Sequence, residues 1–287
     1  MALCRLDTAD GRAGLDRVLA EPHRVLLATD FDGVLAPIVD DPAAAWAEAG
    51  ATDVLGRLAP SLGAVVVVTG RPVAEALRLG GFESAPGLDH LRILGQYGVE
   101  QWAAATGAAT APPAHPGIER ARAAVVDLLV AHGLDGAHLE DKGRALGVHL
   151  RRLPAPEGAM ERLQAPLSAL AADHDLIVEP GKLVLELRAP GMDKGAALDA
   201  LLAERELAEV TTVVYAGDDL GDLAAFDAVE RFRGGDGDFA GLLIGVGGNP
   251  ADDRHELMAR ADLVLDSPAA LVGWLGQLAD ALAGGRV

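Results

Sequence analysis

Short, uninterrupted apolar runs alternate along the chain with longer stretches of helical spacing. The first run, residues 25–29 (Val-Leu-Leu-Ala-Thr), shows no polar alternation. Such a run suits a strand covered on both faces, as in a parallel sheet. Comparable runs fall at 64–68, 92–96, 211–216, 242–246 and 263–265, with 99–102 pairing beside 92–96. Between them lie segments that predict helices at 1–24 (Leu15, Val18 and Leu19 in helical register), 52–59, 193–204, 222–229, 250–260 and from 268 onward. Strand–helix alternation of this kind predicts an α/β fold with a Rossmann-like parallel-sheet core. The pattern breaks at Ala111-Pro112-Pro113-Ala114-His115-Pro116-Gly117, whose prolines mark a linker. Beyond it come a helix at 118–132, strands at 138–140 and 144–151, a helix at 156–173 and strands at 176–179 and 182–188. Ala189-Pro190-Gly191 closes that unit, which reads as a two-layer α+β module inserted into the larger fold. The expected division is a core at 1–106 and 190–287, with the insert at 107–189.

Composition narrows the function classes. Half of the 287 residues are apolar, but only 3% are aromatic, and no apolar stretch approaches the ~20 residues of a membrane span. Arg5, Asp7 and Asp10 interrupt any signal-like N-terminal pattern, and Cys4 is the only cysteine. A soluble cytoplasmic protein is expected, as a monomer, with no disulfide and no cysteine-based metal cluster. The net charge of −19 argues against nucleic-acid or anionic-membrane partners. An anionic small-molecule ligand would then need lysine, arginine or a metal cation gathered at its site.

The chemistry-bearing residues sit where apolar runs end. The 25–29 run stops at Asp30-Phe31-Asp32-Gly33, either a simple turn or a carboxylate pair at the sheet rim, where open α/β sheets bind ligands. The 64–68 run stops at Thr69-Gly70-Arg71, a helix start or a phosphate cradle of hydroxyl and free N–H groups. The 211–216 run stops at Gly217-Asp218-Asp219-Leu220-Gly221-Asp222, an acidic cap or a second carboxylate cluster. Lys194 follows Asp193, a candidate helix cap. Together they form the set that phosphoryl transfer requires. Carboxylates hold Mg²⁺ against a substrate phosphate, one of them can act as nucleophile, and cations screen the approach.

In this order and context, Asp30-Phe31-Asp32-Gly33-Val34, Thr69-Gly70-Arg71, Lys194 and Gly217-Asp218-Asp219-x-x-Asp222 resemble the haloacid-dehalogenase-like phosphatases. Gly95-Gln96-Tyr97-Gly98-Val99-Glu100 and the inserted Glu140-Asp141-Lys142-Gly143, His149-Leu150-Arg151 and Gly181-Lys182-Leu183-Val184-Leu185-Glu186 are similar to trehalose-6-phosphate phosphatases. The resemblance implies a Mg²⁺-dependent phosphatase with an inserted cap domain that closes over a sugar phosphate, trehalose 6-phosphate. Phosphatases of sucrose- or glycosyl-glycerate-type phosphates are the near alternative, and a silent sugar-phosphate-binding module the distant one. It implies that Asp30 attacks phosphorus, that Asp32 is the acid–base group, and that Thr69 and Lys194 hold phosphoryl oxygens, with Gly70 and Arg71 at the phosphate. Asp30, the Asp32 carbonyl and Asp218 would ligate Mg²⁺, with Asp219 and Asp222 further out or acting through water. Glu140, Lys142, His149, Arg151, Lys182 and Glu186 would read the sugar. Val34 stands where many relatives carry threonine, and Gly221 where a small hydroxyl residue is usual.

Overall fold

The computed structural model describes residues 6, 8–39, 41–181, 183–191, 193–247 and 255–284. In chain order these form α1 (Ala9–Ala20), β1 (Val25–Thr29), α2 (Ala51–Leu58), β2 (Ala64–Val68), α3 (Val73–Gly80), β3 (Arg92–Gly95), β4 (Glu100–Ala103) and β5 (Ala108–Thr110). There follow α4 (Pro116–Ala131), β6 (His138–Asp141), β7 (Ala145–His149), α5 (Pro156–Asp173), β8 (Ile177–Gly181) and β9 (Val184–Arg188). The chain continues through α6 (Lys194–Leu202), β10 (Thr212–Gly217), α7 (Leu223–Arg233), β11 (Ala240–Val246), α8 (His255–Arg260), β12 (Leu263–Leu265) and α9 (Pro268–Gly284). Two compact units result, Met1–Ala111 with Asp193–Val287, and Pro112–Met192.

The larger unit carries an eight-stranded sheet in the order β12-β11-β10-β1-β2-β3-β4-β5. From β12 to β3 the pairs are parallel, and β4 and β5 continue antiparallel. The five residues of β1 and the five of β2 are all buried, because helices cover both faces. Val25, Leu27, Val65, Val67 and Val214 meet Val18, Leu55, Leu79 and Trp274 of α1, α2, α3 and α9. Leu26, Ala28, Val66, Val213 and Tyr215 meet Leu198, Phe226 and Leu257 of α6, α7 and α8. Each buried Val or Leu side chain contributes about 1.5–3 kcal/mol. This is why these strands read as unbroken apolar runs rather than alternating ones. The chain leaves β1 toward β2 on one side and reaches β10 and β11 on the other, so β1 and β10 flank the switch point where open sheets place ligands.

The smaller unit is a four-stranded antiparallel sheet, β6-β7-β9-β8, backed by α4 and α5. Here the strands do alternate. Leu146, Val148, Leu185 and Leu187 pack on Ile118, Val125, Leu163 and Leu167, while Gly147, His149 and Glu186 take the other face.

Several element boundaries differ from the sequence reading. The leading helix stops at Ala20, and a 3-10 turn (Pro22–Arg24) delivers the chain into β1. Pro116 does not bar a helix but opens α4, its missing N–H costing nothing in the first turn. Pro72 is the N-cap of α3, with an extended ψ of 144°. β5 went unforeseen, since its three exposed residues give no apolar pattern.

Candidate active site

Register puts the site at one sheet edge. Thr29 pairs with Ala216 on one side and Val67 on the other, so Asp30, Thr69 and Asp218 all leave the same C-terminal end. The Asp30 N–H still donates to the Ala216 carbonyl (2.9 Å), locking the two strand ends together. The chain then turns tightly, with the N–H groups of Leu35 and Ala36 donating to the Phe31 carbonyl (2.9 and 2.8 Å). Gly33 has φ +75°, and a Cβ there would lie 2.1 Å from Asp218 Oδ2. Glycine is therefore required twice, for the backbone conformation and for the approach of Asp218. The turn reading and the rim reading of this stretch are the same fact.

Lys194 is not a solvated first-turn lysine. Its side chain is 5% exposed, and its ammonium donates to Asp30 Oδ2 and to Asp222 Oδ1, both at 2.7 Å. Asp193 caps α6 by accepting from the Ala196 N–H (2.7 Å), which fixes where Lys194 emerges. Asp222 is wholly buried and accepts on both oxygens. Oδ1 takes Lys194 and the Tyr215 hydroxyl (2.7 Å), and Oδ2 takes the N–H groups of Asp218 (2.9 Å) and Asp219 (3.2 Å). Asp222 thus acts as a brace that ties α6, β10 and the 217–219 turn. Asp219 is exposed and caps the following 3-10 turn by accepting from the Gly221 N–H (2.9 Å).

One carboxylate oxygen from each of Asp30, Asp218 and Asp222 lies within 4.8 Å of the others, all three residues buried. Burial pushes the Asp30 carboxyl well above the usual carboxylate range; Lys194 opposes this, and Asp222, Asp32 and Asp219 reinforce it. Burial works against the Lys194 charge, but Asp222 and Asp30 more than offset it and hold the ammonium charged. Three buried carboxylates against one ammonium leave excess negative charge. An all-oxygen donor set of this kind fits a hard divalent cation. Each Asp222 oxygen already takes two donors, whereas the Phe31 N–H reaches Asp30 Oδ1 (2.6 Å) and Lys194 reaches Asp30 Oδ2 (2.7 Å).

The phosphate-side turn is held from behind. The Thr69 N–H donates to the Leu94 carbonyl, and the Thr69 and Arg71 carbonyls accept from the Tyr97 and Gln96 N–H groups, each at 2.9 Å. Gln96 and Tyr97 adopt positive φ (47° and 59°), strained for side chains of this size, and the Tyr97 ring packs against Gly70. Glu100 accepts from the Val73 N–H (2.8 Å) and so caps α3. The Arg71 guanidinium, expected at the phosphate, faces Asp32 instead. Nε and Nη2 donate to the two Asp32 oxygens, both at 2.7 Å, and Nη1 donates to Glu75 (3.2 Å).

In the smaller unit, Glu140 and Glu186 lie in one row on either side of Gly147. Lys142 bonds Glu186 and lies 3.9 Å from Glu140, which also meets His149 Nε2 (2.7 Å). Glu186 is buried, and its Oε1 has no hydrogen-bond partner. Arg151 is exposed in the turn after β7, and Lys182 lies outside the described residues.

Sequence reasoning missed Tyr215, Glu75 and the structural work of Glu100. Tyr215 left a signal, being one of two tyrosines and standing near the end of the 211–216 run, three residues before Asp218. Glu75 left the i,i+4 spacing from Arg71, and Glu100 left none, since its partner Val73 comes from another element.

The trehalose-phosphatase family model matches residues 28–240, spanning β1 through the start of β11. The chain belongs to the trehalose-phosphatase family. A trehalose-phosphate phosphatase of Mycobacterium avium is 35% identical over 270 residues, 90% of this chain and 62% of that protein. An uncharacterized glycosyl hydrolase of Mycobacterium tuberculosis is 34% identical over 266 residues, 90% of this chain but 18% of that protein. The chain therefore spans under two thirds of these relatives' length. Among solved structures, the C-terminal domain of Candida albicans trehalose-6-phosphate phosphatase superposes with a TM-score of 0.77 at 22% identity, covering 97% of this chain and 99% of that one. A haloacid dehalogenase-like hydrolase from Bacteroides thetaiotaomicron gives 0.54 at 17%, covering 88% and 98%. The fold of this trehalose-phosphatase family member is haloacid-dehalogenase-like, and its Asp30–Asp218–Asp222 cluster is consistent with the metal site of that fold. No described helix is long and apolar enough to cross a membrane.

Proposed function

We propose that the chain is a Mg²⁺-dependent phosphatase that hydrolyses trehalose 6-phosphate to trehalose and phosphate through an aspartyl phosphate on Asp30. The observation that carries this reading is the gathering of Asp30, Asp218 and Asp222 at a strand end, with one buried ammonium, Lys194, bonded to Asp30 and Asp222. Asp30 Oδ1 accepts from the Phe31 N–H (2.6 Å) and Oδ2 from Lys194, which directs the carboxylate as a nucleophile toward the rim. Lys194 and the Thr69 hydroxyl hold phosphoryl oxygens as the charge shifts. Asp32 donates a proton to the departing sugar oxygen, then takes one from the water that cleaves the intermediate. Asp30, Asp218 and the Asp32 carbonyl would hold Mg²⁺, which would supply charge neutralisation between nucleophile and phosphate.

We assign sugar recognition to Glu140, Lys142 and Glu186. Two carboxylate acceptors and an ammonium donor, held in one row about a side-chain-free Gly147, suit a polyhydroxylated ligand. A site built to bond hydroxyls rejects ligands that lack them. His149, Arg151 and Lys182 are assigned secondary contacts with the sugar. The test is phosphate release from trehalose 6-phosphate, sucrose 6-phosphate and glucose 6-phosphate, with Mg²⁺ and with EDTA. Preference for the first, loss in EDTA and loss in Asp30→Asn are expected. Equal turnover of all three would overturn the substrate, and an active Asp30→Asn protein the mechanism.

A further inference from the structure

Arg71 stands in the same turn as the phosphate-side hydroxyl of Thr69, yet its guanidinium is engaged by acidic side chains. Two parallel N–H bonds of 2.7 Å reach the two oxygens of Asp32, and a third bond reaches Glu75. Its backbone is fixed at both ends, with the N–H donating to Thr69 Oγ1 (3.2 Å) and the carbonyl accepting from Gln96 (2.9 Å). The Arg71 side chain is 10% exposed and that of Asp32 is 31% exposed. A fork-to-carboxylate pair sets both the plane and the direction of the carboxylate, which a single bond could not do.

We propose that Arg71 is a positioning residue that holds the Asp32 carboxylate in place for hydrolysis of the aspartyl phosphate. The inference rests on the reading of Asp30 as nucleophile and Asp32 as acid–base group. In the first half-reaction an Asp30 oxygen bonds to phosphorus, the bond from phosphorus to the sugar oxygen breaks, and that oxygen takes the proton of Asp32. Asp32 is then a carboxylate with two acceptor oxygens, the form a guanidinium fork receives. In the second half a water oxygen bonds to phosphorus, the bond from phosphorus to Asp30 breaks, and the proton of the water passes to Asp32. Each carboxylate oxygen offers two acceptor sites, so the Arg71 pairing leaves one on each for that proton. Glu75 and the strained 96–98 turn keep Arg71 from following the phosphate instead.

Transient kinetics with p-nitrophenyl phosphate separates the halves, because the phenolate leaves without needing a proton from Asp32. Arg71→Gln is expected to release one phenolate per active site at close to the parental rate. Its steady state then falls about 100-fold, within the range for losing an acid–base group, and phosphate stays on the acid-quenched protein. In an Asp32→Asn background the same change should add nothing, as for two residues acting as one unit. If Arg71→Gln slows the burst and the steady state equally, or adds its full loss to Asp32→Asn, Arg71 contacts the phosphoryl group and the proposal is wrong. Should Arg71→Gln fail to fold, Glu75→Gln keeps the guanidinium and only loosens it. A retained burst with slowed hydrolysis then supports the proposal, and parental hydrolysis overturns it. Asp32→Asn hydrolysing its intermediate at the parental rate would instead remove Asp32 from the mechanism, and the role of Arg71 with it.

Discussion

Replacing Asp222 by asparagine tests whether this residue is a brace or a metal ligand. The side chain accepts four hydrogen bonds, two on each oxygen, at 2.7 to 3.2 Å. An asparagine of the same shape keeps one oxygen only. If that oxygen stays with the Asp218 and Asp219 N–H groups, the amide nitrogen faces the Lys194 ammonium and the Tyr215 hydroxyl. If it turns over, the amide nitrogen faces two backbone donors. Either way a donor meets donors in a buried place. Breaking a buried pair by removing one partner costs about 3–5 kcal/mol, and Asp30 remains to Lys194, so the lower end applies. At roughly 2–4 °C per kcal/mol for a unit of this size, Tm should fall by about 6–12 °C. The assay is thermal unfolding in EDTA, with Asp219→Asn as the control. Asp219 is exposed and asparagine also caps, so the control should stay within about 0.5 kcal/mol of the parent. A brace loses its stability with or without metal. An Asp222→Asn protein whose Tm in EDTA stays within about 2 °C of the parent, roughly 1 kcal/mol or less, would refute the brace.

Further expectations follow from the same geometry. Gly33→Ala puts a Cβ against Asp218 Oδ2 at a φ of +75°, so it should cost about 1–3 kcal/mol in chemical denaturation and abolish most phosphatase activity; a fully active, equally stable variant would contradict the close approach. Glu186→Gln should raise KM for trehalose 6-phosphate while leaving p-nitrophenyl phosphate turnover near the parental value, since the aryl substrate has no sugar to read; an equal loss on both would count against the assignment. Thr29→Val should hold or raise Tm, because the buried Thr29 hydroxyl has no hydrogen-bond partner to lose, and a marked fall in a melting curve would show that the hydroxyl is in use.

Local pattern was enough to reveal the parallel core and the inserted α+β unit. A strand buried on both faces must be apolar throughout, and a strand buried on one face must alternate, and both kinds are written plainly in β1, β2, β7 and β9. The run Asp30-Phe31-Asp32 was legible as chemistry because carboxylates directly after a buried run have no packing reason to be there. Which partners each carboxylate meets was not legible. Asp30 and Asp32 are two residues apart, yet one meets Lys194 from α6 and the other meets Arg71 from the turn after β2. Asp218, Asp219 and Asp222 look alike in sequence, and only the fold makes Asp222 a fully engaged brace, Asp219 a surface cap and Asp218 a buried member of the carboxylate cluster. Burial and hydrogen-bond partners decide the work of an ionisable group, and Lys194 finds Asp222 and Asp30 at 28 and 164 residues along the chain. Residue type and spacing therefore determined that carboxylates, a hydroxyl and a lysine stand at strand ends and helix starts. The packing of α6, β10 and the 96–98 turn decided which partners each of these side chains meets.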